Sequence, residues 1–200
     1  MAKVEVLTRK DVRDLSVVGG GLEILDWVMY DTLTIANGGT QAEFKFFQQA
    51  VGPGGITLQD TNMDLPGQLS NGFKLIAQKL VVQPIMSALT IAALKDAYEV
   101  SHKGVAVFYI GTRDYFKVPI VNLLGGGFLG FAATAVGGGT LEVAYAMPKT
   151  VINGELEYSP SIPSTFTFSV VLSYPAAPTV AVGLKVRTSI VGKLIRPRQG

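Results

Sequence analysis

Alternation of apolar and polar residues is the clearest pattern in this chain, and two segments near the C-terminal end show it most strictly. In residues 165–174, phenylalanine, valine, leucine and tyrosine share one face, and threonine and serine occupy most of the other. In residues 180–191, a mostly aliphatic face alternates with Lys185, Arg187 and Ser189. Successive side chains of a β-strand point to opposite faces of a sheet, so a period of two predicts half-buried strands.

Six other strand-like segments precede these two, and turn-forming residues separate several of them. Residues 141–146 are the sixth strand of the predicted series. Only residues 87–104 have a helical period, with Ser87 as the predicted N-cap. The chain shows no regular alternation of strands and helices, so the pattern predicts an all-β fold.

Strands joined by irregular connections in this way are typical of a jelly roll. The sequence therefore predicts an all-β, eight-stranded antiparallel jelly-roll sandwich with one short helix between the fourth and fifth strands. A closed up-and-down barrel is the structural alternative, and the long connection at residues 51–71 fits it poorly. Residues 1–24 are predicted to form an N-terminal arm, and residues 25–198 a single jelly-roll domain.

The chain is unusually poor in charge for its length. Charged residues make up 16% of its 200 residues, apolar residues make up 48%, and cysteine is absent. Such a composition indicates a membrane protein, an aggregation-prone chain, or a subunit whose flanks are covered by neighbours. The two long charge-free stretches, residues 118–141 and 158–184, contain too much glycine and proline for a membrane-spanning helix.

Basic residues concentrate at the two ends of the chain. They are candidates for contact with an anionic membrane surface or with packaged nucleic acid. Acidic residues within the first cluster favour an alternative, an ordinary solvated terminus. The candidates are Lys3, Arg9, Lys10, Arg13, Lys193, Arg196 and Arg198.

No pattern in the chain predicts catalysis or a cofactor. His102 is the only histidine, which argues against a clustered-histidine metal site, and its neighbour Ser101 is not thereby placed as a nucleophile. Residues 125–130 match the spacing G-x-G-x-x-G, but no βαβ unit surrounds them. Asp60 and Asp64 fit roles in turns better than a cation site. We therefore predict that the chain is not an enzyme and binds no cofactor.

Four segments carry a resemblance to a known family. Residues 58–84 contain Thr-Asn-Met, then Gly-Gln-Leu, then a predicted strand that opens with phenylalanine. Residues 105–115, 119–130 and 190–196 follow in order, the last reading Ile-Val-Gly-Lys-Leu-Ile-Arg. This ordered set resembles the single, vertical jelly-roll major capsid proteins of tailless icosahedral bacteriophages and archaeal viruses with an internal membrane.

The resemblance covers roughly residues 25 to 198 and implies a structural role. It implies a subunit that self-associates into capsomers of an icosahedral shell, made in the host cytoplasm and located in the virion. The implied partners are copies of the chain itself, other capsid proteins, and an internal membrane or packaged genome, with no small-molecule substrate. Residues 125–139 depart from the family, in which many members have a shorter or more polar segment at this place.

A ligand-binding module is the alternative of a different class. A carbohydrate-binding jelly roll, such as a virion spike or receptor-binding protein, needs aromatic and polar side chains clustered on one face or rim. The chain has a single tryptophan, Trp27, and its seven tyrosines are scattered. The composition therefore favours the capsid interpretation.

Overall fold

The computed structural model of the chain describes residues 6–7, 22–86, 90–124, 133–136, 140–143, 156 and 158–197. Short 3-10 turns at Pro53–Gly55 and Ile120–Leu123 accompany the strands and helix. In chain order those elements are β1 (Val6–Leu7), β2 (Leu22–Ile35), β3 (Glu43–Phe46), β4 (Lys74–Ile85), α1 (Ile91–His102), β5 (Val105–Ile110), β6 (Arg113–Pro119), β7 (Ala133–Val136), β8 (Thr140–Val143), β9 (Ser159–Pro163), β10 (Phe168–Ser173) and β11 (Leu184–Pro197).

Two antiparallel sheets form the body of the fold. One has the strand order β1-β9-β4-β11-β2 and the other the order β3-β10-β5-β6. Without the two-residue β1, four strands in each sheet make an eight-stranded sandwich in which the chain passes from sheet to sheet, as in a jelly roll. The predicted all-β, eight-stranded antiparallel jelly-roll sandwich is therefore confirmed. β7 and β8 pair with each other as a separate hairpin.

The predicted position of the helix, between the fourth and fifth strands, is wrong. Three strands of the sandwich precede α1, namely β2, β3 and β4, and β5 follows it. β1 lies within the predicted arm and pairs with β9 outside the eight-stranded body. The helix therefore connects the third and fourth strands of the sandwich, where it carries the chain from one sheet to the other.

The sixth strand of the sandwich is also not where the sequence predicts it. Thr140–Val143, which overlaps the predicted segment, pairs only with Ala133–Val136 in the described part of the chain. The sixth strand is β9, which contains Pro160 and Pro163. Proline cannot donate a hydrogen bond to a ladder, so a strand with two prolines gives a weak sequence signal and is tolerated only near a sheet edge. β9 has this position, with only the two-residue β1 outside it.

The core lies between the two sheets and uses the alternation seen in the sequence. Along β11, every second residue from Leu184 to Leu194 is buried, including Thr188 and Gly192, and the residues between them are more exposed. The inward face of β10 contributes phenylalanine, valine and leucine in the same way. Burying each large apolar side chain contributes roughly 1.5–3 kcal/mol, so these inward faces supply most of the stability of the sandwich.

The boundary between arm and domain is predicted at residues 24 and 25. β2 begins at Leu22, and Val6–Leu7 forms the short strand beside β9. The other residues of the arm, 1–5 and 8–21, lie outside the described residues. The division into an arm at 1–24 and a jelly-roll domain at 25–198 therefore stays a prediction.

α1 is fixed at both its start and its middle. Thr90 is the N-cap, and its side chain accepts a hydrogen bond from Ala93 N at 3.1 Å; the predicted cap, Ser87, lies outside the described residues. Asp96, which is buried, accepts hydrogen bonds from the backbone nitrogens of Ala181 and Val182, both at 2.8 Å. The helix therefore holds the connection that leads into β11.

Candidate functional site

The two predicted basic residues that the structure describes are already paired. Lys193 Nζ lies 2.6 Å from Asp26 Oδ1, and Arg196 Nε donates to Glu23 Oε2 at 2.9 Å. Both pairs join β11 to β2, but side chains three positions apart on a strand point to opposite faces. The structure therefore does not gather them into one basic patch, and the membrane- or genome-facing role stays a prediction. The remaining candidates, Lys3, Arg9, Lys10, Arg13 and Arg198, lie outside the described residues.

His102 has the surroundings of a structural residue at a helix end. Its ring stacks on Tyr98 with centroids 4.0 Å apart, and Nδ1 lies 3.2 Å from the Tyr98 carbonyl oxygen. Burial lowers the pKa of His102, which favours the neutral imidazole. The hydroxyl of Ser101 is buried without a hydrogen-bond partner in the described part of the chain, so it forms no nucleophile–base pair with this histidine.

A shifted carboxyl pKa can mark a catalytic group, and the pKa of Asp31 is shifted. Its side chain is fully buried, and burial raises its pKa. However, its carboxylate accepts hydrogen bonds from Phe47 N at 2.5 Å and Thr32 N at 3.0 Å, which oppose that rise. Phe47 has a positive φ of 66°, so the carboxylate fixes a tight corner after β3. The carboxylate of Asp31 therefore has a structural role, because it holds the backbone of Thr32 and Phe47.

Asp60 and Asp64 have the turn roles that the sequence predicts. Asp60 accepts hydrogen bonds from Thr57 N and Oγ1, at 3.2 and 3.0 Å, and the first of these contributes most to lowering its pKa. Asp64 accepts one from Ser70 Oγ at 3.0 Å. Among the described residues no group of three or more histidine, cysteine or acidic side chains is placed to hold a metal ion.

None of the described helices has the length and apolar composition that crossing a membrane requires.

Residues 57–63, which we call the edge loop, cover the free edge of β2. Tyr30 N donates to Asn62 Oδ1 at 2.9 Å, and Asn62 Nδ2 donates to the Val28 carbonyl oxygen at 2.8 Å. Thr61 Oγ1 donates to the Tyr30 carbonyl oxygen at 2.9 Å. β2 is the last strand of its sheet, so these side chains take the place of a neighbouring strand and block further pairing.

Arg187 on β11 fastens the edge loop to the outside of the sheet. Its Nη2 donates to the Gln59 carbonyl oxygen at 2.7 Å and its Nε to Thr32 Oγ1 at 3.0 Å. The guanidinium carbon lies 4.9 Å from the centre of the Tyr30 ring, and the Tyr30 hydroxyl donates to the Leu58 carbonyl oxygen. Several contacts therefore fix the backbone of the edge loop, while Leu58 is exposed to solvent.

The outward face of β2 and β11, together with the edge loop, forms a surface that we call the outer flank. Val28 stands opposite Val191 and is 48% exposed, and Tyr30 stands opposite Ser189. Leu58 is 66% exposed, the largest exposure of any large hydrophobic side chain in the described residues. Exposed aliphatic side chains grouped beside an edge strand are typical of a protein–protein contact.

An apolar cleft of about 320 Å³ opens where β2 and β4 end and β11 begins. Its apolar walls are Ile35, Ile85, Val182 and Leu184, and Lys185 stands at the same cleft. The hydrogen bond from Val182 N to Asp96 described above fixes one wall.

A second cleft, of about 530 Å³, is more polar and is lined by Gln41, Glu43, Lys45 and Ser173. Tyr174 also lines this cleft, but its ring is buried and its hydroxyl donates to the Val100 carbonyl oxygen at 3.0 Å. The ring therefore offers little surface for stacking on a sugar.

Comparison with known proteins finds no protein-family model, no curated protein and no solved structure that matches this chain. The sequence gives only an indirect signal for the edge loop, the polar run around Asp60 and Asn62 that predicts turns. The partner of that loop, Arg187, appears in the sequence only as a polar residue of an alternating strand.

Proposed function

We propose that this chain is a viral structural protein, a single jelly-roll major capsid subunit that self-associates into capsomers of an icosahedral shell. The observation that carries the proposal is a jelly-roll sandwich whose outer flank exposes two aliphatic side chains, Leu58 and Val28. Jelly rolls serve as capsid subunits, lectins and cupins, so the fold alone does not choose among them. The sequence resemblance supports the first of these.

In this proposal the mechanism is association. Copies of the chain meet through their flanks, and head-to-tail contacts that close into rings build the capsomer. The overall charge content of 16% suits a subunit that is covered on several sides. Other capsid proteins, an internal membrane or a packaged genome are further partners, and the protein passes from the host cytoplasm into the virion.

A ligand- or carbohydrate-binding module is the second candidate. The open polar cleft beside Glu43 and Lys45 is the observation that favours it. Trp27 is packed against the core, and the Tyr174 ring is buried, so neither presents a free aromatic face at this cleft. Glycan-array binding by a stable monomer would raise this candidate above the capsid proposal.

Negative-stain electron microscopy tests the capsid proposal directly. We expect rings, sheets or closed shells when the purified protein is examined over a series of protein and salt concentrations. Burial of exposed aliphatic side chains is strengthened by salts such as sulfate, so the assembled fraction should rise with that salt. Dispersed monomers under every condition, together with binding to a glycan, would contradict the proposal.

Deleting residues 1–13 is expected to weaken assembly or membrane docking and to leave the sandwich folded. The deletion removes four basic residues and β1, which contributes only a two-residue ladder with β9. Co-sedimentation with anionic vesicles at low and high salt measures the docking, because such binding is salt-dependent. A full-length variant with glutamine at those four basic positions separates charge from strand pairing. Loss of the β-sheet circular-dichroism signal on deletion would count against the arm.

A further inference from the structure

Leu58 is an exposed aliphatic side chain on a backbone that is already fixed. Its carbonyl oxygen accepts from the Tyr30 hydroxyl, and the next carbonyl along the chain, that of Gln59, accepts from Arg187 Nη2 at 2.7 Å. Asp60 closes the turn through Thr57. A fixed turn loses little further conformational entropy when its side chain is buried by a partner, which favours this leucine as an anchor.

The apolar cleft described above is a matching receptor for such an anchor. Its volume of about 320 Å³ is at the small end of the range for ligand pockets, and its walls include Ile35, Ile85 and Leu184. Val182 is 53% exposed, yet its backbone nitrogen is held by Asp96 at 2.8 Å. A small, preformed, aliphatic cleft suits a branched aliphatic side chain.

Lys185 places the anchor and the cleft on the same side of the molecule. It lines the cleft, and its Nζ lies 3.4 Å from Asp60 Oδ1, two residues after Leu58. Asp60 therefore lies beside the anchor Leu58, and Lys185 lies beside the cleft. When Leu58 of one copy enters the cleft of another, its acid approaches the partner's base, so shape and charge match together.

We propose that two copies of this chain form a two-fold contact in which each inserts Leu58 into the apolar cleft of the other. A two-fold interface uses the same patch on both subunits, which requires anchor and receptor to be neighbours on one surface, as they are here. The inference rests on the proposed self-association and adds to it the surface and the partner. It gives the outer flank one defined two-fold contact in the shell, separate from the head-to-tail contacts that close rings.

Disulfide trapping tests the contact, because the chain contains no cysteine. Leu58→Cys and Val182→Cys proteins are purified separately, mixed and oxidised. We expect a species of twice the chain mass on a non-reducing gel, with peptides containing positions 58 and 182 joined. The matched control is Leu65→Cys mixed with Val182→Cys. Leu65 is a second exposed leucine, at 44%, in the same connection between β3 and β4. Equal trapping by the control, or no trapping above it, overturns the proposal.

A second variant measures the contribution of the anchor. Leu58→Asp is expected to raise the dimer dissociation constant roughly tenfold or more in analytical ultracentrifugation, and Leu65→Asp to change it little. Similar constants for both variants contradict the contact. Shells seen by microscopy without 58–182 trapping would remove this contact and leave the capsid proposal standing. Trapping without any shell or ring would support the contact and count against the capsid proposal.

Discussion

Gly192→Ala is expected to cost about 3 kcal/mol or more of unfolding free energy, the largest loss that we predict for one methyl group. A Cβ at this position would lie 1.9 Å from the Ile76 carbonyl oxygen and 2.9 Å from its carbonyl carbon. Both are backbone atoms of the paired strand, so no side-chain rotation relieves the contact. The register between β11 and β4 shifts at this place, which brings the two backbones close.

Urea unfolding followed by circular dichroism measures this effect. Ser189→Ala is the matched control, because it lies on the same strand three residues earlier, on the outward face, and is expected to change stability by less than about 1 kcal/mol. If Gly192→Ala protein unfolds at the midpoint of the control, the close approach of the two strands is wrong.

Asp96→Ala is expected to cost roughly 3 kcal/mol. The carboxylate accepts two backbone hydrogen bonds at 2.8 Å, from Ala181 and Val182. Hydrogen bonds to charged groups contribute about 1.5–3 kcal/mol each, and alanine would leave both nitrogens without this acceptor. Faster amide hydrogen exchange at those two positions should accompany the loss of stability.

Two further variants separate this role from a general effect of charge on the helix. Asp96→Asn keeps one acceptor oxygen and is expected to lose about half as much stability. Glu99 lies on the same helix, and its carboxylate pairs with Lys103 at the surface. Glu99→Gln is expected to lower the free energy of unfolding by less than about 1 kcal/mol. Equal losses for Asp96→Ala and Glu99→Gln would show that the two buried hydrogen bonds contribute little.

The strands that could be predicted are those whose burial repeats every second residue. β10 and β11 have one face in the core over most of their length, so their sequences alternate and their positions follow. β9 breaks that rule, because all but one of its five residues are buried and two are prolines. The sequence therefore predicts the sixth strand at residues 141–146 instead, and the described part of that segment, residues 141–143, pairs in a separate hairpin.

The features of the candidate site depend on contacts that no local pattern reports. Asn62 reaches Tyr30 across 32 positions of the chain, and Arg187 reaches Gln59 across 128. The role of Gly192 also cannot be predicted from the local sequence, because its lack of a side chain matters only once β4 lies beside it. The local sequence indicates a turn at Asn62 and a polar strand residue at Arg187. Their roles, and that of Gly192, follow only from contacts between segments distant in the chain.

The protection of the β2 edge makes this surface sensitive to chemical ageing. Asn62 satisfies the Val28 carbonyl oxygen with its side-chain nitrogen at 2.8 Å. Deamidation would replace that nitrogen with a second carboxylate oxygen, which can only accept hydrogen bonds and would repel the carbonyl. One spontaneous reaction at a single side chain would then open part of a backbone edge with which another strand can pair, so an old preparation should form more disordered aggregates than a fresh one.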